Sequence, residues 1–328
     1  MARRFSIAVQ LGLMAGVLCT PLLIGTGAVV ADAAGQLLAA RRTVAVAETT
    51  RTTFIALQQT RVERGPIRNA LRGAGPETGA FVEGIARARS IAGPALEALA
   101  LACTRVSCAA GDAPARLAET RARLEAIRRE ADPAILLPLA QRPAGLADRY
   151  NAAATGLVEL LEEFSHNLTA QVRDIDGPSA TLAQVKDAAY ATRDAAGLER
   201  DMLVAGIANG AFTPAERQGM AELRARAGVA WSLVAAVEEG LPMPARAAIE
   251  QAKRVYFEGF VAQRAALEQA VLAGRPPTLD VAGVNRGIDA GTASLFAVAD
   301  TALASIGERA REAMRTAEWR LGLMAGLA

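Results

Sequence analysis

Apolar residues recur along almost the whole chain at the three- and four-residue spacing of amphipathic helices, and clusters of Gly and Pro interrupt this pattern. No strand-like alternation of apolar and polar residues competes with it. The pattern predicts about eight helices joined by short connections, and such helices pack as up-and-down bundles. We therefore expect an all-α protein whose helices form two four-helix bundles.

The interruptions also place the predicted helices. The first extends from the N-terminal apolar run to about residue 71, and the others cover about 78–104, 114–131, 143–173, 179–208, 213–239, 244–272 and 280 onwards. The clearest start signal is Thr213-Pro214-Ala215-Glu216, where Thr213 caps the helix, Pro214 takes its first position and Glu216 closes a capping box. The clearest turn in the middle of the chain covers residues 174–178.

An uncharged apolar run covers residues 5–31 and follows Arg3 and Arg4. A membrane-spanning helix needs roughly 20 predominantly apolar residues, so this run is long enough, and the basic residues before it favour a cytoplasmic N-terminus. A cleaved signal peptide is the alternative, because Ala31-Asp32-Ala33 resembles a cleavage site, although the core of such peptides has only about 7–15 residues. Under both interpretations the rest of the chain is exported.

The sequence LGLMAG occurs in this run at residues 11–16 and again at 321–326, directly after Trp319 and Arg320. An aromatic and a basic residue together are typical of a membrane interface, so we expect a second span to begin here. The predicted organisation is a cytoplasmic stub with a transmembrane helix or signal anchor at 1–33, an extracytoplasmic helical domain at 34–318, and the start of a second, truncated span at 319–328. The main domain is then periplasmic, anchored in a bacterial inner membrane.

The charge balance and the motif content narrow the function. The chain carries 36 Lys and Arg against 34 Asp and Glu, which argues against nucleic-acid binding. It has no phosphate-binding glycine loop, nucleophile elbow or metal-ligand spacing, and His166 is its only histidine. The acidic residues just before His166 do not form an acid–base cluster with it, because adjacent helical residues point in different directions. We expect no enzyme activity, no metal and no cofactor.

Cys103 and Cys108 are separated by only four residues. In an oxidising compartment they could form a small disulfide at a helix end. The alternative is two unpaired small apolar side chains, because so short a loop is geometrically demanding. The spacing leaves both interpretations open.

Four arginines are placed to meet on facing helices. Arg61 and Arg64 are three residues apart and share one helical face, and Arg193 and Arg200 are seven apart and share another. If the two helices are neighbours, four guanidinium groups converge. Each is permanently charged and offers a planar fork of donors, which matches a small planar anion such as nitrate, nitrite or a carboxylate.

A short sequence repeat occurs in the same two regions. Val62-Glu63-Arg64-Gly65 stands near the end of one predicted helix, and Leu198-Glu199-Arg200-Asp201 near the end of another. This suggests duplicated architecture, although little beyond Glu-Arg is identical. The alternative interpretation of the arginines is that they face solvent and pair weakly with Glu63 and Glu199.

These elements carry a resemblance to a known family. The Glu-Arg-Gly element at 63–65, the Ala-Gly-Leu-Glu-Arg element at 196–200, the Phe-Thr-Pro at 212–214 and the last helix, from 280 to 319, together resemble the nitrate- and nitrite-sensing (NIT) domain family. The resemblance implies an all-α domain of two helical bundles. Such domains lie outside the membrane in bacterial chemoreceptors, the methyl-accepting chemotaxis proteins, and in sensor histidine kinases.

The resemblance also implies the ligand site. Members of the family bind nitrate or nitrite through arginines, and their pattern maps onto Arg61, Arg64 and Arg200 of this chain, with Arg193 a neighbour by spacing. Pro66, directly after the Glu-Arg-Gly element, departs from the family pattern. A proline at this position can kink the helix and so reorient Arg64.

The sequence therefore predicts the extracytoplasmic ligand-sensing domain of a bacterial transmembrane signalling receptor. Its expected ligand is nitrate, nitrite or another small anion, and helix displacement is expected to relay binding to a cytoplasmic output domain that this chain lacks. The membrane and a second copy in a homodimer are the expected partners. The alternative is a structural or partner-binding periplasmic helical module without a small ligand. A sensor predicts Arg64 and Arg200 in the bundle interior, not fully satisfied by carboxylates, whereas the module predicts them on the surface.

Overall fold

A computed structural model describes residues 7–73, 75–77, 79–173, 177–276, 279 and 281–327, and every regular element in these residues is helical. The all-α prediction is therefore confirmed. The α-helices are α1 (Ile7–Arg72), α2 (Gly79–Ala102), α3 (Ala113–Ala134), α4 (Leu146–Arg173), α5 (Gly177–Asn209), α6 (Pro214–Val237), α7 (Met243–Ala252), α8 (Val261–Leu272) and α9 (Val281–Leu327). A π-helical segment, Lys253–Phe260, joins α7 to α8 without a break, and short 3-10 turns lie at Leu139–Gln141 and Glu238–Gly240.

Most predicted helix boundaries agree with the structure within a few residues. The capping box of α6 is present, since the Thr213 hydroxyl accepts from the Glu216 N–H at 3.1 Å and the Glu216 carboxylate accepts from the Thr213 N–H at 2.8 Å. The start of the predicted turn at 174–178 lies outside the described residues, and α5 already begins at Gly177. Pro66 lies within α1, which continues as a helix to Arg72.

The chain divides into two compact units, residues 1–45 with 308–328 and residues 46–307. In the first unit, Arg41 lies 3.5 Å from Glu318, and Arg320 donates to the Gln36 side chain at 3.4 Å. Most side chains of the predicted first span lie outside the described residues. Two that are described, Met14 and Val17, are 65% and 68% exposed.

One helical stretch among the described residues, Arg286–Leu323, is long and apolar enough to cross a membrane. Its most apolar window is 56% buried within the structure, and a core helix of a soluble protein passes the same test. The stretch overlaps only the beginning of the second predicted span, and of that span the side chains from residue 324 onwards lie outside the described residues.

In the second unit, a buried carboxylate joins the first four helices. Glu63 of α1 is only 1% exposed. It accepts hydrogen bonds from Arg89 of α2 at 2.9 Å, from Arg128 of α3 at 2.8 Å and from the Tyr150 hydroxyl of α4 at 2.9 Å. Asp132 holds the outer side of Arg89 at 2.7 Å. We call these five residues the Glu63 cluster.

The later helices repeat this arrangement around Glu199 of α5, which is 2% exposed. It accepts from Arg224 of α6 at 2.6 Å and from Arg264 of α8 at 2.8 Å, and Glu268 pairs with Arg224 at 2.8 Å. We call these four residues the Glu199 cluster. Burial excludes the weak surface pairing that the sequence left open for both glutamates, because buried pairs are screened far less than exposed ones.

Corresponding residues of the two clusters are separated by equal intervals in the sequence. Arg128 and Glu63 are 65 residues apart, as are Arg264 and Glu199. The interval from Glu63 to Glu199 also separates Arg128 from Arg264 and Asp132 from Glu268. Helices α2 and α6, which occupy corresponding positions, are both 24 residues long. The second half of the unit therefore repeats the helix order and the buried ion pairs of the first.

Cys103 and Cys108 form a disulfide, which decides between the two interpretations left open by their spacing. The bond closes the turn after α2, where Cys108 is 1% exposed. The neighbouring Ser107 carbonyl accepts from Gln171 of α4 at 2.6 Å. The disulfide thus fixes a loop that is anchored on another helix.

Replacing both cysteines by serine should lower the free energy of unfolding by about 2 kcal/mol, since so short a closed loop restricts the unfolded chain only modestly. Denaturant unfolding of the variant, with the oxidised wild type as reference, measures this difference. A loss above about 5 kcal/mol would contradict the estimate, since native disulfides rarely contribute more.

Candidate functional site

Helices α1 and α5 face each other in the second unit and present polar side chains at three- and four-residue spacing. The Phe54 ring of α1 lies 5.3 Å from the Tyr190 ring of α5, edge to face. About two turns after Phe54 on α1, the Arg61 guanidinium carbon lies 4.9 Å from the centre of the same Tyr190 ring. These contacts place Arg61 and Arg193 on adjoining surfaces, since Arg193 lies one turn after Tyr190.

The Arg61 side chain is closely enclosed and only 7% exposed. It donates to Asp194 of α5 and to Glu162 of α4. Its guanidinium is therefore held by two carboxylates and the face of one aromatic ring. Sequence reasoning did not assign a role to Asp194, and it treated Glu162 as part of a solvated face.

Arg64 is partly buried and forms no ion pair with any described carboxylate. Its one hydrogen bond among the described residues is a long one, 3.3 Å, to the Thr155 hydroxyl of α4. Burial lowers the pKa of Arg64, and the positive charge of Arg61 lowers it further. Desolvation and repulsion both disfavour this cation, so an additional negative charge nearby would stabilise it.

Arg193 has no hydrogen bond or ion pair within the described part of the chain, and its Nε is buried without a partner. Burial lowers the pKa of Arg193 more than any other cause, with Arg61 and Arg200 contributing by repulsion. A guanidinium remains charged under physiological conditions even so. Arg193 is therefore a desolvated cation without an ion pair among the described residues, although the nearby Tyr190 and Asp194 act to raise its pKa.

Arg200 lies at the edge of this region, with a side chain 29% exposed. Its carboxylate contacts are long, 3.4 Å to Asp201 and 3.6 Å to Asp289 of α9. It also approaches α1 beside Arg64, because a Cβ added to Gly65 would meet its guanidinium at 3.6 Å. The structure thus brings Arg200 to α1 beside Gly65, the residue after Arg64, and gives it carboxylate contacts that Arg193 lacks among the described residues.

Unpartnered polar atoms concentrate in the same place. Among the described residues, the buried side-chain atoms without a hydrogen bond are Gln58 Oε1, Arg61 Nε, Tyr190 Oη, Arg193 Nε and Arg264 Nε. All but the last belong to the facing sides of α1 and α5. An unmade buried hydrogen bond costs about 1–3 kcal/mol, so such a concentration calls for an explanation.

The repeat shows which positions differ between the halves. The interval that relates Glu63 to Glu199 also relates Phe54 to Tyr190, Leu57 to Arg193 and Arg61 to Gly197. The buried clusters keep the same chemistry in both halves, as an architectural role requires. These three facing pairs of α1 and α5 do not keep the same chemistry, whereas Arg64 corresponds to Arg200 and Gln58 to Asp194, which are polar in both halves. The equal intervals are the sequence signal that could have singled out Tyr190 and Arg193, because they replace Phe54 and Leu57 of the first half.

Other chemistry has little structural basis in the described residues. No group of three or more His, Cys, Asp or Glu side chains there is arranged to hold a metal ion. His166 is exposed on α4. The searches of protein-family models, of curated proteins and of solved structures found no match to the chain. The function must therefore be argued from the site.

Proposed function

We propose that the chain is the extracytoplasmic ligand-sensing part of a bacterial transmembrane receptor and that it binds a small anion between α1 and α5. The observation that carries this proposal is Arg193, a desolvated cation with a buried, unpaired Nε and no carboxylate partner in the described residues. Arg61 and Arg64 add positive charge to the same region. Nitrate and nitrite are the first candidates, since the guanidinium fork matches small planar oxyanions.

An anion between α1 and α5 would offset two unfavourable contributions, the unpaired buried donors and the repulsion between guanidinium groups. It would accept from the Nε groups of Arg61 and Arg193, both buried and unpaired. It would also reduce the repulsion among Arg61, Arg64 and Arg193. Ligand binding would therefore stabilise the contact between α1 and α5, and this gain is the differential free energy that a sensor needs.

Helices α1 and α9 would connect the anion site to the membrane, because both continue into the predicted spans. Helix α1 carries the first predicted span at its N-terminal end, and α9 reaches the second predicted span. Both helices contribute to the second unit, where Arg51 of α1 lies 3.5 Å from Asp300 of α9. A ligand that changes how α1 packs would displace α1 relative to α9, which is the expected signal. Dimerisation stays a prediction from the sequence.

Isothermal titration of the full chain in mild detergent, with nitrate, nitrite, chloride and acetate, tests the proposal. We expect saturable nitrate or nitrite binding in the wild type. Arg64→Ala should weaken it at least tenfold, because Arg64 has no described carboxylate to bind instead. Arg246→Ala, which changes an exposed arginine on α7, is the matched control and should bind like the wild type.

Failure of every anion to bind the folded, helical chain would overturn the proposal. It would favour the alternative, a structural or partner-binding helical module. Equal loss of affinity in Arg64→Ala and Arg246→Ala would also count against this site, because it would indicate a general effect of net charge.

A further inference from the structure

We infer that the Tyr190 hydroxyl and the Gln58 carboxamide complete the binding shell of this site, and that the shell selects a singly charged oxyanion. The inference rests on the proposed anion-binding function and extends it, since it assigns two uncharged residues and a charge class to the ligand. Neither residue stands out in the sequence, because isolated Tyr and Gln residues on helices are common.

The position of Gln58 follows from its neighbours. Phe54, Gln58 and Arg61 share one face of α1, at intervals of four and three residues. Phe54 and Arg61 both contact the Tyr190 ring, at 5.3 and 4.9 Å. Gln58 lies between them on this face and therefore beside Tyr190. Its buried Oε1 has no partner, and rotation of the carboxamide would present its N–H donors instead.

Tyr190 presents a donor rather than a charge. Its hydroxyl oxygen is buried and has no hydrogen-bond partner in the described residues. Burial raises the pKa of Tyr190, and this outweighs the opposite effect of Arg61 and Arg193. The hydroxyl is therefore protonated at neutral pH and can donate to an anion. An O–H donor to a charged oxygen forms a short, strong hydrogen bond.

The charge balance sets the valence of the ligand. The guanidinium groups here belong to Arg61, Arg64, Arg68, Arg193 and Arg200, and the carboxylates that contact them belong to Glu162, Asp194, Asp201 and Asp289. One positive charge is left over. A monoanion neutralises it, whereas a dianion such as sulfate would leave a desolvated negative charge.

The two halves of the repeat contribute different residues to this shell. Tyr190 corresponds to Phe54, which has no hydroxyl, and Arg193 corresponds to Leu57. These two pairs each contribute a polar group from the second half and an apolar side chain from the first, whereas Gln58 corresponds to the polar Asp194. The donors converge on a single volume instead of forming two equivalent sites.

Nitrate, formate and sulfate titrations of Tyr190→Phe and Gln58→Met in the full chain test the inference. Tyr190→Phe should lower nitrate and formate affinity about tenfold or more, while its melting temperature without anion stays the same or rises, since no hydrogen bond is lost. Gln58→Met should weaken the same ligands. Tyr256→Phe, at another buried tyrosine, should bind like the wild type. Sulfate should bind the wild type at least tenfold more weakly than nitrate.

The outcomes separate the two proposals. If the wild type binds no anion, the proposed function itself fails. If the wild type binds nitrate and both Tyr190→Phe and Gln58→Met bind it equally well, the shell assignment is wrong while the function stands. Tight sulfate binding would overturn the charge class. Should Tyr190→Phe not fold, Gln58→Met with Tyr256→Phe decides the shell.

Discussion

Replacement of Glu63 by glutamine is expected to lower the free energy of unfolding by about 3–5 kcal/mol, since it breaks a buried ion pair by removing one partner. Arg128 would stay buried, with a side chain 8% exposed, and would lose its carboxylate on α1. Arg89 and the Tyr150 hydroxyl donate to the same carboxylate, so the contacts of helices α2, α3 and α4 to α1 all lose the negative charge that strengthens them. Thermal and urea unfolding of the full chain measure the loss.

Two further variants make this result specific. Glu119→Gln changes an exposed carboxylate, 71% accessible and 3.7 Å from Arg123, and should shift stability by less than about 0.5 kcal/mol. Glu199→Gln should resemble Glu63→Gln, because Arg224 and Arg264 surround Glu199 in the same way. A loss below about 1 kcal/mol at Glu63 would show that its cluster relaxes to admit water, and would contradict the architectural role.

Replacement of Arg193 by methionine should act in the opposite direction. In anion-free buffer we expect the free energy of unfolding to rise by about 1–3 kcal/mol, because methionine keeps much of the side-chain volume and removes a desolvated, unpaired donor group. The same variant should lose the stabilisation by nitrate, which in a binding-competent protein reaches about 2.7 kcal/mol at a hundred times the dissociation constant. Melting curves with and without nitrate measure both effects.

A higher stability without anion together with a lost response to nitrate is diagnostic, because an arginine with only a structural role would not give both effects. If Arg193 stabilised the fold through contacts, its loss would lower the melting temperature with or without anion. Arg246→Met, at an exposed arginine on α7, controls for the change in net charge and should leave the nitrate response intact. A variant that is less stable than the wild type and still responds to nitrate would remove Arg193 from the site.

The two largest predictions thus separate the clusters from the site. Glu63 and Glu199 are buried with their charges compensated, so their removal costs stability. Arg193 is buried at its Nε and has no ion pair within the described part of the chain, so its removal should cost function instead. Stability lost at a binding site is common, because groups aimed at a ligand have no partner when the ligand is absent.

Much of the fold could be read from local pattern. Helical periodicity and Gly/Pro punctuation predicted the helices, and the Thr213 capping box was predicted in detail. The same periodicity placed Arg61 with Arg64 and Arg193 with Arg200 on shared faces. The spacing of Cys103 and Cys108, however, was compatible with both bonded and free thiols, and only the folded backbone brought them together.

By itself, the sequence determined the all-α class, the helix boundaries and the helical faces that carry the arginines, because each depends on residues within a few turns of one another. Only the tertiary structure decided which charges are paired. Arg61 meets an aspartate 133 residues away and Arg128 a glutamate 65 residues away, while Arg193 meets no carboxylate in the described residues. Such pairing depends on which helices become neighbours, and burial then makes a compensated arginine architectural and an uncompensated one available to a ligand.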